Sequence, residues 1–201
     1  MKKRKSISTI LTSCAFVVVS GCDHAPITKL QIEQARENGL IVYCNGFLSD
    51  ETRRMTREIA GELDMCYFPD RRDIRGLLED GENSQYGNHI VFHSAGSDNA
   101  YDFSNWCRNS GIEIRTVHSL DAFTSHNFQR NAGTVHNYFS SLPYAFGKES
   151  CRGGVNPSSF TTIPNSNHLN LPWKSKSTIK NRIISQRRDR VYQRIPTRSG
   201  R

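Results

Sequence analysis

Two apolar runs set the pattern of this chain. Leu40-Ile41-Val42-Tyr43-Cys44 is rich in β-branched and aromatic residues and stops at Asn45-Gly46, which predicts a buried strand running into a turn. His89-Ile90-Val91-Phe92-His93 predicts a second strand of the same kind. Between them, Met55, Ile59, Ala60 and Leu63 recur at helical spacing behind Ser49-Asp50-Glu51, an N-cap followed by acids, so 51–63 predicts a helix. Residues 65–68 predict a short strand, and Ile74, Leu77 and Leu78 a helix ending near Gly81. Beyond the second run, 97–108 is amphipathic, with Tyr101, Phe103, Trp106 and Cys107 on one side. Residues 112–117 alternate as a third strand, 135–139 predict a fourth and 160–163 a fifth. Strands separated by helices imply βαβ units with right-handed crossovers. The expected fold is a small three-layer α/β/α sandwich on a mainly parallel sheet, and 201 residues suit one domain.

The first residues follow a different pattern. A basic start (Lys2, Lys3, Arg4, Lys5) precedes an apolar run over 7–20, too short for a confident transmembrane helix and suited to an export signal. The run ends in Val19-Ser20-Gly21-Cys22, which resembles the lipobox of bacterial lipoproteins. The resemblance implies a signal peptide over 1–21, lipidation of Cys22 and a lipid-anchored mature protein in the bacterial cell envelope. Asp23 resembles the signal that keeps such proteins at the periplasmic face of the inner membrane in enteric-like bacteria. Residues 22–39 then read as a tether running into a short helix.

The formal net charge of +8 is unevenly spread: +4 over 1–21, −5 over 22–173 and +9 over 174–201. The acidic body argues against a nucleic-acid partner, which would call for a basic stripe on the folded part. The 174–201 segment reads as a basic C-terminal tail whose first part is an amphipathic helix or a solvated stretch, suited to contact with anionic lipid. Four cysteines remain in the body: Cys44, Cys66, Cys107 and Cys151. No pair of them has zinc-ligand spacing. In an oxidising compartment they are candidates for two disulfides, with three connectivities open; in a reducing one they would be buried small hydrophobes.

Parallel sheets bind ligands at the carboxyl ends of their strands, so the residues following each strand carry the functional information. The second run ends in Phe92-His93-Ser94-Ala95-Gly96 and enters a helix. This resembles the nucleophile elbow of α/β-hydrolases, with Phe92 in place of the usual first glycine. Asn45-Gly46-Phe47 after the first strand resembles the loop that supplies an oxyanion amide in esterases and lipases, with Asn45 where histidine is common. His118-Ser119-Leu120-Asp121 follows the third strand, and Asn165-Ser166-Asn167-His168 the last. The Val135-His136-Asn137-Tyr138-Phe139 stretch and Gly153-Gly154 are similar to segments of lipase-like members. The resemblance spans 40–173.

It implies Ser94 as nucleophile, His168 as general base, Asp121 as the acid that orients it, and the Phe47 and Ala95 amides as the oxyanion hole. His93 neighbours the serine and is expected to point away from it. The implied protein is a membrane-anchored serine hydrolase of esterase or lipase type, or an acyltransferase. It would act on an ester, lipid or thioester through an acyl-enzyme, with no metal or other cofactor. The short chain leaves little or no room for a lid. Phe92 and Asn45 favour the alternative, a non-catalytic envelope lipoprotein that uses the fold as a binding module.

Overall fold

The structure, a computed structural model, describes residues 27–46, 50–69, 74–142 and 149–187. Six strands form one parallel sheet: β1 (Leu40–Cys44), β2 (Cys66–Pro69), β3 (Asn88–His93), β4 (Ile114–Leu120), β6 (Ala132–Ser140) and β8 (Ser159–Ile163), in the order β2-β1-β3-β4-β6-β8. A two-stranded parallel pair, β5 (Asn127–Phe128) and β7 (Arg152–Gly153), stands beside it; neither strand carries enough apolar residues to be legible in the sequence. β1 and β3 are buried along their whole length, as their unbroken apolar pattern requires. β4 runs three residues past the predicted end, through His118, Ser119 and Leu120, so Asp121 follows the strand directly.

Among the described residues, five helices cover the sheet: α1 (Lys29–Asn38), α2 (Asp50–Glu62), α3 (Arg75–Glu82), α4 (Gly96–Asn109) and α5 (Leu171–Ser185). α1 starts in a capping box, in which Thr28 accepts from the Gln31 amide while the Gln31 side chain accepts from the Thr28 amide. One face buries Leu40, Val42, Ile90, Phe92 and Val117 against Ala35, Leu77, Leu78, Ala100 and Phe103 of α1, α3 and α4. The other buries Ile41, Val91 and Leu120 against Met55 and Ile59 of α2 and Leu171, Ile179 and Ile183 of α5. The architecture is therefore three-layer α/β with a mainly parallel sheet.

Residues 174–185, assigned above to the basic tail, belong to the folded body. α5 packs on α2, and Lys176 pairs with Glu58 and Glu62 while Lys180 pairs with Glu62. The cysteine expectation also changes. All four body cysteines are buried thiols. In the β1–β2 register Cys66 lies beside Leu40, four residues from Cys44. That offset puts the two thiols about 13 Å apart along the strand, about twice the Cα separation a disulfide spans. Burial pushes Cys66 up to about 11, as expected of an inert core thiol.

The α2/α5 face contains a polar layer. His89 and His118 are joined through the Thr116 hydroxyl, at 2.6 and 2.7 Å, and His118 continues to the Tyr138 hydroxyl at 3.0 Å. The His136 ring stacks on His118 and bonds Ser159, which also accepts from Arg182 of α5. Burial holds His89 down to about 3 and His136 to about 4, and pulls His118 down as well; Arg182 works in the same direction on His118 and His136. All three rings are thus neutral in the folded protein. Each binds a proton more weakly folded than unfolded, so the stability they contribute is complete above the ordinary histidine value of 6.5 and drains away below it. For His89 alone the loss reaches about 2 kcal/mol at about pH 5. Urea unfolding at about pH 7.5 and about pH 5 measures this loss, and His89→Gln should flatten the pH dependence by that amount.

Candidate active site

The strand order reverses direction between β1 and β3. The β1–α2–β2 crossover leaves to one side, and from β3 onward the chain builds to the other. The crossovers that follow these two strands therefore run toward opposite edges of the sheet, and the carboxyl ends between them are where such sheets bind ligands. Small residues pack the turns there together. A Cβ on Gly46 would stand 2.4 Å from the Gly96 nitrogen and 2.6 Å from the His93 oxygen. A Cβ on Gly96 would stand 2.7 Å from the Cys44 oxygen. The Asn99 side chain donates to the Asn45 carbonyl at 2.7 Å and ties α4 to the same loop.

Ser94 occupies the turn between β3 and α4 with φ of +54°, a left-handed conformation costly for a serine. Its amide donates to Leu120 O at 3.0 Å, and its carbonyl accepts from Phe123 N at 3.1 Å, so the turn is pinned to the end of β4. Ser94 and Ala95 are both half-buried. Ala95 is the N-cap of α4 and no side chain caps that helix, so the positive end of α4 lies uncapped beside Ser94. Phe92 does not crowd the helix: it points into the α4-side core, fully buried and stacked on Phe128. Phe47 and Cys22 lie outside the described residues.

Asp121 is the residue immediately beyond β4, at φ of +38° and 1% exposed. Its Oδ1 accepts from the Ser140 amide at 2.9 Å and its Oδ2 from His168 Nδ1 at 3.3 Å. Burial raises its pKa, but the bonds from His168 and Ser140 outweigh burial and hold the carboxyl below the usual range, so it is ionised. His168 sits in a braced loop. Ser166 Oγ donates to Ile163 O at 2.6 Å, and Asn167 Oδ1 accepts from the amides of Leu169 and Asn170. Asn170 Oδ1 accepts in return from the Asn167 amide, closing a reciprocal turn at the head of α5.

The structure thus joins Asp121 to His168 and fixes Ser94 at the same sheet edge through Leu120 and Phe123. Among the described residues, no hydrogen bond joins the Ser94 hydroxyl to the His168 ring. The His93 ring lies against His168, with centroids 4.3 Å apart and planes tilted by 37°. Strand alternation sets it on the face opposite Phe92, and the long-range packing of the His168 loop brings a second imidazole there. A further pair, His126 Nε2 with Asp98 at 2.7 Å, lies at the start of α4 with Tyr101 stacked on the imidazole. Its carboxylate is 62% exposed against 1% for Asp121, so it lacks the dry setting that makes a carboxylate orient an imidazole strongly.

Asn137 and the paired glycines serve the frame. Asn137 exchanges bonds with the Cys151 backbone, both at 2.9 Å. Gly153 meets the Phe128 backbone so closely that an added Cβ would stand 2.0 Å from Phe128 O. Among the described residues no group of three or more histidine, cysteine or acidic side chains is arranged to hold a metal ion, and no helix is long and apolar enough to cross a membrane. No protein-family model matches the chain, and no curated protein does either. The reading of this site therefore rests on its geometry.

The Gly46–Gly96 contact can be tested directly. Gly96→Ala should destabilise the protein by about 1–3 kcal/mol by forcing the two loops apart. Gly61→Ala, in α2 with nothing within 4 Å of the added carbon, should be neutral or stabilising by up to about 1 kcal/mol. Thermal melts of the two variants beside the parent decide the point.

Proposed function

We propose that this chain is a lipid-anchored serine hydrolase of the α/β-hydrolase type, acting on an ester, lipid or thioester acyl bond. The observation that carries the reading is the buried, ionised Asp121 bonded to His168 at the edge where a left-handed Ser94 opens a helix. An ionised carboxylate at Nδ1 holds the proton on that nitrogen and leaves Nε2 as the acceptor. His168 would take the Ser94 proton as Oγ attacks the acyl carbon, then return it to the leaving group. Water would release the acyl-enzyme in a hydrolase, and another alcohol or amine in an acyltransferase. The Ala95 amide, at the head of α4, and the Phe47 amide are the proposed oxyanion donors, each worth on the order of 3 kcal/mol in the transition state.

The surroundings favour an apolar acyl group. Phe123, Leu142 and Leu169 are large and exposed, and they lie on the loops after β4, β6 and β8 that bear or adjoin the Asp121–His168 pair. Lipidation at Cys22 would keep this site at the envelope membrane. Because Lys176 and Lys180 are already paired with α2, attraction of the basic segment to anionic lipid would fall mainly to residues beyond α5.

One observation favours the non-catalytic alternative, an envelope binding module: no hydrogen bond joins Ser94 to His168 among the described residues. Catalytic hydrogen bonds of this kind commonly tighten only once substrate binds. A fluorophosphonate probe separates the two readings. The hydrolase reading expects stoichiometric labelling of the full-length protein, abolished in Ser94→Ala and His168→Ala and slowed about a hundredfold or more in Asp121→Asn. A folded parent protein that takes no label supports the binding module. With a series of p-nitrophenyl esters, Phe123→Ser should lose more rate on long acyl chains than on acetate.

A further inference from the structure

The Asp121–His168 hydrogen bond holds one edge of the imidazole at Nδ1. An in-plane bond of this kind places that edge but does not by itself set the plane of the ring. A general base works only when its accepting nitrogen is held within hydrogen-bond reach of the proton it removes. A second contact, against the face of the ring, is needed to set the plane.

His93 supplies such a contact. Its ring lies 4.3 Å from the His168 ring, centroid to centroid, with the planes tilted by 37°. The residue is 2% exposed, so the ring forms a floor that cannot retreat into solvent. Its own position is fixed: it is the last residue of β3, paired in register with Leu120 of β4 on one side, and it directly precedes the Ser94 turn. The backbone of His168 lies near enough to influence His93, while neither His93 ring nitrogen makes a hydrogen bond of proper geometry among the described residues. A buried imidazole without regular polar partners is costly to keep. A leucine would fill a similar volume without that cost but would present no flat face to the His168 ring.

The electrical setting is consistent with this use. Burial, with the neighbouring His168 acting in the same direction, draws His93 down to about 4, so it is neutral at physiological pH. The titratable groups facing it are His168 and Asp121. A neutral ring can lie under His168 while that imidazole gains a proton; a charged one would oppose it.

We propose that His93 is a positioning residue. Its buried ring is the seat on which the His168 imidazole stacks, setting the plane of a ring whose Nδ1 is held by Asp121 and turning Nε2 toward the Ser94 side. The proposal rests on the serine-hydrolase reading for its consequence, but the seat itself can be observed without any reaction.

Three full-length variants test it: His93→Phe keeps a flat ring, His93→Leu keeps volume without one, and His93→Ala removes both. The first readout is the NMR spectrum of the histidine rings, with the His168 signals assigned through His168→Gln. Stacking displaces the His168 ring-proton signals upfield in the parent and in His93→Phe. The displacement is lost, and the ring becomes mobile, in the Leu and Ala variants. The second readout is catalytic. The Leu and Ala variants should fall about 10–100-fold in kcat and in fluorophosphonate labelling with KM little changed, and His93→Phe should recover most of that loss.

Unaltered His168 signals in His93→Leu would overturn the proposal, as would a Phe variant as slow as the Leu variant. Should the Ala variant not fold, the Phe–Leu comparison decides alone. If the parent protein takes no label at all, the hydrolase reading fails, and the NMR comparison still tells whether His93 seats His168.

Discussion

A carboxylate with almost no contact with water organises the functional edge of this protein. Asp121 is charged inside a sheet protein, and such a charge is tolerated only when its oxygens are occupied. The Ser140 amide, at the end of β6, and His168, on the loop after β8, occupy them. One side chain thereby ties the ends of three neighbouring strands. The same requirement explains why the His168 loop is so firmly braced by Ser166, Asn167 and Asn170: a mobile loop would leave the carboxylate uncompensated.

The two faces of the sheet divide the work of stability differently. The face under α1, α3 and α4 carries the larger apolar cluster, with Phe92, Phe103 and the buried thiols, and a few buried polar groups such as Asn88 and Asn137 bonded to backbone. The face under α2 and α5 combines an apolar cluster with the His89–Thr116–His118–Tyr138 chain and the His136–Ser159–Arg182 group. Hydrogen bonds satisfy many of these buried polar atoms, at the expense of acid tolerance. At the carboxyl edge the two faces meet over Gly46 and Gly96, where backbone packs on backbone with no room for a Cβ.

Much of the frame was legible from local pattern. Unbroken apolar runs located β1 and β3, helical spacing located α2 and α4, and Ser94 between a strand and a helix marked a turn. These features depend on neighbours a few residues away, and the pattern records such neighbours. The ends were less legible: His118 and Ser119 look polar in the sequence and so hide the last part of β4, yet they are buried and paired in the sheet. The start of the expected tail is a docked helix because Ile179 and Ile183 bury against the sheet and α2, with its lysines paired to acids far away in the chain.

The sequence by itself determined the class of fold and the turn at Ser94, which follow from short-range chemistry, while Asp121 and His168 stood out through resemblance to a hydrolase pattern. Only the tertiary structure decided which of the seven histidines share a site. It turned His93 toward His168, set Cys44 and Cys66 apart through strand register, and buried His89, His118 and His136. Those outcomes depend on strand register and on loops that meet across the whole chain, and a side chain's burial and partners are fixed by that long-range packing rather than by its neighbours in sequence.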